Sequence, residues 1–182
     1  MEGMYDDKTG EIYRINPLKE WEKFESAYRS TDGLAGNWTQ LGYNYSNGGY
    51  DGIGRLNTIA FHPTDRNTFW VGAPWGGLWR TDDYGQTWTP LTDNIGQIGI
   101  SAILVPPDFE TSGVMLIGTG DRGHWGDMGV GILKSTDWGE TWQTTDLGYT
   151  APLGFYVGRI LIHPSIPTRM YAATSLGIYK SI

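Results

Sequence analysis

A nine-residue stretch, RTDDYGQTW at residues 80–88, returns almost unchanged as KSTDWGETW at residues 134–142. The shared pattern is Ser/Thr-x-Asp-x-Gly-x-Thr-Trp, and its first letter falls at Thr81 and again at Ser135, 54 positions later (135 minus 81). Repetition of this kind means that the chain is assembled from copies of one supersecondary unit. The unit has to be identified before any single residue is interpreted.

Aligning on the motif extends the likeness in both directions. The first copy reads LNTIAFHP (56–63), NTFWVGAP (67–74), GGLWRTDD (76–83) and QTWTPLTD (86–93). The second reads GISAILVPP (99–107), GVMLIGTGD (113–121), VGILKSTD (130–137) and ETWQTTDL (140–147). A third begins VGRILIHP (157–164), TRMYAATS (168–175) and LGIYKS (176–181). Each segment is a short apolar run bounded by turn residues, which predicts a strand. Four short strands in roughly 45–55 residues match a β-propeller blade. The fold class expected is therefore all-β: a partial β-propeller of about two and a half blades, at residues 54–94, 99–148 and 157–182, within a domain spanning 36–182. Ser181 aligns with Thr81 and Ser135, so the third blade has three strands, and the expectation is an N-terminal piece of a larger protein. GNWTQLG (36–42) resembles a fourth strand, and STDG (30–33) a worn copy of the motif.

Residues 1–35 read differently. PLKEWEKFESAYRS (17–30) sets Leu18, Trp21, Phe24 and Tyr28 along one helical face behind a leading proline. That spacing predicts a short amphipathic helix in an N-terminal extension whose first 16 residues are polar and turn-rich.

Each letter of the motif has a physical role in a tight turn. Asp83 and Asp137 can accept hydrogen bonds from backbone N–H groups further along, and the hydroxyls of Thr81 and Ser135 can add a second local bond. Gly85 and Gly139 supply positive φ. Trp88 and Trp142, leading the fourth strand, offer a large apolar face for packing between blades. Two repeated carboxylates could also be the acid pair of a glycosidase. Occupying equivalent places in different blades, however, each is consumed by its own turn. His62 and His163 likewise close first strands at equivalent positions, which marks them as structural.

Composition narrows the partners. The 27 glycines in 182 residues are about twice the usual ~7% share, as tight turns between strands require. A net charge of −7 argues against nucleic acid, which needs a basic stripe. There is no cysteine, so neither disulfides nor thiolate metal sites are available. No apolar run reaches the length of a membrane span, and the acidic start MEGMYDDKTG is not a signal peptide.

TDDYGQTW and STDWGETW resemble the Asp-box, or bacterial neuraminidase repeat, of sialidases, sortilin-type receptors and xyloglucan-cleaving glucanases. GRLNTIAFHPTDRNTFWVGAPWGGLWRTDDYGQTWTPLTDN (54–94) is similar to blades of bacterial sortilin-like exported propellers, which often precede a type IX secretion sorting domain. The resemblance covers about residues 36–182. It implies a secreted or cell-surface location, Asp turns on one end of the propeller, and ligand-contacting loops on the other. Those loops are GAPWGG (72–77), with Trp75, and GTGDRGHWGDMGVG (118–131), with Asp121, Arg122, His124, Trp125 and Asp127. Indole faces beside carboxylates and guanidinium suit sugar rings; the plainer reading is a glycine-rich solvent loop whose Trp packs on a neighbouring blade. Asp121, His124 and Asp127 are too few for a hard cation and thin for zinc, so neither metal nor other cofactor is expected.

Resemblance also bears on catalysis. Xyloglucan-type glucanases carry a catalytic Asp before a Gly-Gly pair in the first inner loop; here APWGG puts Pro74 at that place. Sialidases carry an arginine in a Tyr/Phe-Arg-Ile-Pro motif, approached by YRINP (13–17), with Asn16 intruding and Arg14 in the arginine's place. A serine-hydrolase reading lacks any nucleophile signature. Asn37 and Asn44 open glycosylation patterns. Three functions follow: a non-catalytic exported module binding glycan or protein, which Pro74 favours; a glycoside hydrolase whose acids lie largely outside this chain; or a subunit whose open blade edge is completed by further blades or another chain.

Overall fold

The computed structural model describes residues 4–5, 12–13, 16, 18–19, 21–23, 54–96, 98–123, 129–148 and 155–181. The chain divides into two compact units, Met1–Gln40 and Leu41–Ile182. In the first unit, β1 (Met4–Tyr5) and β2 (Ile12–Tyr13) pair antiparallel, Met4 opposite Tyr13. The polar, turn-rich composition concealed this hairpin, because two-residue strands carry no readable alternation. Residues 18–19 and 21–23 are helical and exposed. Just ahead of them Asn16 Oδ1 accepts the Leu18 N–H at 3.1 Å, the local bond that favours Asn at helix starts. Phe24, Tyr28, the segment 30–42, Asn37 and Asn44 lie outside the described residues.

Among the described residues the second unit holds three antiparallel sheets in chain order. The first blade is β3 (Thr58–Phe61), β4 (Phe69–Ala73), β5 (Gly77–Thr81) and β6 (Thr89–Pro90), hydrogen-bonded in that sequence. The second is β7 (Ile100–Leu104), β8 (Met115–Thr119), β9 (Ile132–Ser135) and β10 (Gln143–Thr144). The third comprises β11 (Val157–His163), β12 (Ile166–Thr174) and β13 (Gly177–Lys180). The first strands β3, β7 and β11 meet across the blade boundaries. This is the expected partial β-propeller.

Two-residue periodicity assigns each side chain to a boundary. In β8, Met115 and Ile117 join Trp70, Leu78 and Leu133 in a core between the first and second blades. Their neighbour Leu116 turns the other way, joining Ile132, Val157, Ile160 and Ala172 between the second and third. The core is thus two apolar seams between sheets, which explains why β8 is buried at all five positions. A one-turn helix, Phe109–Ser112, interrupts the β7–β8 connection and buries Phe109; its four residues are too few for a helical period to show. It ends at Gly113, whose φ of +64° lets its N–H reach the Phe109 carbonyl. Among the described residues no helix is long and apolar enough to cross a membrane.

Candidate functional site

Antiparallel order puts the Asp turns at one end of the blades and the β4–β5 and β8–β9 loops at the other. At the Asp-turn end each motif carboxylate is served by donors of its own turn. Asp83 Oδ1 accepts the N–H groups of Gln86 and Thr87 at 2.9 and 2.8 Å, and Oδ2 accepts the Thr87 hydroxyl at 2.7 Å. Thr81 Oγ1 donates to Asp83 at 2.8 Å while accepting the Gly85 N–H at 2.8 Å. The second turn reproduces this: Ser135 Oγ donates to Asp137 at 2.7 Å and accepts from Gly139 at 2.8 Å, and Thr141 N–H donates to Asp137 at 2.9 Å. Both carboxyls are held down to a pKa of about 2, Asp83 chiefly by the Thr87 backbone N–H and Asp137 chiefly by the Thr141 hydroxyl. Engaged by its own turn and held at so low a pKa, neither is suited to general acid–base work near neutral pH.

Two details of the turn escape the sequence. Gly85 and Gly139 do sit at φ of +88° and +92°, but the residues before them, Tyr84 and Trp138, are also left-handed, at +62° and +59°. The two motif tryptophans also part company. Trp142 packs against the seam between the first and second blades, whereas Trp88 lies edge-on to Phe69 of its own blade and is 37% exposed. The histidines are local devices as well. His62 Nδ1 accepts the Asp65 N–H at 2.9 Å while its ring stacks on Trp70, and His163 Nδ1 accepts from Ser165 at 3.2 Å.

At the opposite end the structure separates the candidates. Trp75 stands at the tip of the β4–β5 turn, about half exposed. Arg122 is exposed, while Asp121 is buried. Asp121 is ion-paired with Arg55 and accepts the Asn57 side-chain N–H at 3.2 Å. Burial pushes its carboxyl up, but the Gly123 N–H, Asn57 and Arg55 together outweigh burial and hold it below the ordinary range. The lead-in to the first blade is thereby tied to the long loop of the second. His124, Trp125 and Asp127 lie outside the described residues.

Arg55 and Asn57 are the residues that sequence reading missed. Both lie just before β3, and the repeat alone places that stretch at the loop end, where a partner for a buried Asp is needed. Asn57 also donates to the Ile100 carbonyl at 3.3 Å. The aligned residue of the second blade, Ser101, donates to the Val157 carbonyl at 2.8 Å. Thr119, fully buried, closes the base of the long loop by accepting the Val130 N–H at 2.7 Å and donating to the Gly131 carbonyl at 2.8 Å. Pro74 is buried, and a β-carbon on Gly99 would lie 2.4 Å from its carbonyl oxygen. This position packs against the next blade and offers no proton. The end as a whole presents an indole and a half-exposed guanidinium fixed by a carboxylate. Such a surface can stack on a sugar ring and donate hydrogen bonds to its hydroxyls.

Comparison with known proteins bears on this surface. No family model matches the chain. Among curated proteins it is similar to a xyloglucanase of Paenibacillus sp, 28% identical over 71% of this chain and 14% of that protein. It is 30% identical to xyloglucanase Xgh74A of Acetivibrio thermocellus over 76% of this chain and 18% of that protein. It is also 33% identical to vacuolar protein sorting/targeting protein 10 of Sordaria macrospora, over 65% of this chain and 7% of that protein. Two solved structures share the fold. An ancestral GH74 enzyme has a TM-score of 0.54 at 17% identity, over 70% of this chain and 17% of its own. The GH74 xyloglucanase of Xanthomonas campestris has 0.51 at 20%, over 71% and 20%. The chain therefore spans less than a fifth of the length of the curated xyloglucanases it matches.

Proposed function

We propose that this chain forms blades of a glycoside hydrolase-type propeller acting on xyloglucan or a related β-glucan, and that its own part is to hold the sugar chain. Similarity to xyloglucanases over about three quarters of the chain carries this reading. It shifts the balance away from the purely non-catalytic module that Pro74 by itself favours. In this role Trp75 stacks on a pyranose ring and Arg55, steadied by Asp121, donates to hydroxyls. The acid and base come from parts of the protein that this chain does not supply, since Asp83 and Asp137 are consumed by turns and Pro74 replaces an acid. Outward export accords with a polymeric substrate that cannot enter a cell.

Titration of residues 1–182 with xyloglucan oligosaccharides, followed by calorimetry, tests the assignment. Binding is expected, weakened at least tenfold by Trp75→Ala and unchanged by Trp88→Ala at the opposite end. Absence of binding, or equal loss in both variants, would sink it. A second reading, a propeller that binds without cleaving, draws on buried Pro74 and on the similarity to the sorting protein. Release of reducing ends from xyloglucan by the full-length protein separates the two.

A further inference from the structure

Trp75 stands in a short turn, residues 74–76, closed by the pairing of Ala73 with Gly77. Its neighbours on both sides are fixed. Ahead of it Pro74 is buried, and its carbonyl oxygen lies against Gly99, where a β-carbon would be 2.4 Å away. Behind it the Trp79 indole N–H donates to the Gly76 carbonyl at 2.6 Å. Gly77, at φ of +70°, runs directly over the buried Thr92, whose Oγ1 would lie 2.1 Å from a β-carbon there. The same Oγ1 accepts the Leu78 N–H at 2.9 Å. Trp75 itself keeps about half of its surface exposed.

The second blade closes its loop by other means. Gly72 opposes Leu78 as Gly118 opposes Ile132, so Ala73 corresponds to Thr119, Gly77 to Gly131 and Trp79 to Leu133. There the Thr119 hydroxyl bonds Val130 and Gly131 at the base of the loop, while Leu133 is buried in the core and has no donor to offer. In the first blade Ala73 lacks the hydroxyl, and an indole N–H closes the turn. The tie on Gly76 is thus particular to the turn that carries Trp75 and is not required by the repeat. Trp79 is only partly buried, so water could serve its N–H. The bond to Gly76 orders the turn; it does not rescue a stranded donor.

We propose that Trp79 is a positioning residue for Trp75. With the Thr92 hydroxyl it fixes the peptide groups from Gly76 to Leu78, so the Trp75 ring meets a sugar already oriented. The inference rests on Trp75 as a sugar-stacking residue and adds the groups that make the stack effective. A ring on a loose turn must be ordered when ligand binds, and that cost is subtracted from affinity. A ring on a fixed turn has lost this freedom beforehand. Trp79 acts through the backbone, without touching the ligand.

The test is a double-mutant cycle on the chain of residues 1–182, read by calorimetric titration with xyloglucan oligosaccharides. Trp79→Phe keeps an aromatic ring and removes the N–H. It should weaken binding by about three- to tenfold, the cost of ordering one side chain and its turn on association. In a Trp75→Ala background the same substitution should change nothing, because no ring is left to orient; a merely structural role would lower affinity in both. A second readout needs no sugar. In protein labelled with fluorotryptophan, the fluorine resonance that Trp75→Ala deletes should move toward the position of the free amino acid in Trp79→Phe, and this shift decides if the Trp75→Ala background binds too weakly to titrate. If Trp79→Phe fails to fold, Thr92→Val, which frees the Leu78 N–H on the other side of the turn, enters the same measurements with the same expectation. Undiminished affinity in Trp79→Phe, equal loss in both backgrounds, or an unmoved Trp75 resonance would overturn the positioning role. Sugar binding that Trp75→Ala leaves intact would instead remove the reading on which it stands, and that single variant shows which of the two has failed.

Discussion

Trp142 hands its indole N–H across a blade boundary to the carbonyl of Leu91, 3.2 Å away and 51 residues earlier in the chain. Trp88, its copy in the repeat, makes the corresponding bond at 3.1 Å to Gly85, three residues away in its own turn. The two indoles should accordingly differ in energetic weight. Trp142→Ala opens the seam and is expected to cost about 3 kcal/mol, the lower range for burying an aromatic ring. Trp88→Ala removes an edge contact with Phe69 and should cost about 1 kcal/mol. Urea denaturation of the two variants measures the gap; equal losses would mean that the blades pack otherwise.

The Asp turns predict a dependence on acid. Asp83 and Asp137 have folded pKa values of about 2 against an ordinary 3.8. A depressed folded pKa means that the unfolded chain binds protons first, so the stabilisation is complete above about pH 4 and disappears as pH falls through about 2. Denaturation midpoints measured from pH 6 to pH 2 should fall across that window. Asp137→Asn should flatten the fall, and carbon NMR titration should place both carboxyls near 2.

Asp121 predicts coupling between blades. Its oxygens serve Arg55 and Asn57, 66 and 64 residues away. Asp121→Ala leaves Asn57 short of a partner, while Arg55 keeps water. The expected loss is about 1–2 kcal/mol, below the full value of a charged hydrogen bond because half the pair is solvated. Sugar affinity should fall along with it if Arg55 contacts the ligand, and calorimetry on the folded variant reads that directly.

Thr119 is the most economical test of the long loop. Thr119→Val keeps the shape but removes the hydroxyl that accepts from Val130 and donates to Gly131. A buried N–H without an acceptor costs about 1–3 kcal/mol. Hydrogen exchange should rise at Val130 first, ahead of β8 itself.

How much could be read in advance follows the range of the interaction. The Asp turns were legible letter by letter, because the bonds of their Asp carboxylates and Ser/Thr hydroxyls join residues at most four apart: Thr81 to Gly85, Asp83 to Thr87, Ser135 to Gly139. The strands were legible for a similar reason, since a short apolar run between turn residues, as in β4 and β8, is a property of consecutive side chains. What the sequence by itself determined is therefore the repeating unit and, through it, the propeller. Tertiary structure alone decided which copy of a residue meets which neighbour. Identical motif positions put one tryptophan in a seam and left the other half in water, and a loop aspartate that read as a ligand group was drawn into the interior by an arginine 66 residues away. Long-range partners of this kind depend on how the sheets stack and on which boundary a side chain faces, and nothing in the local pattern encodes that.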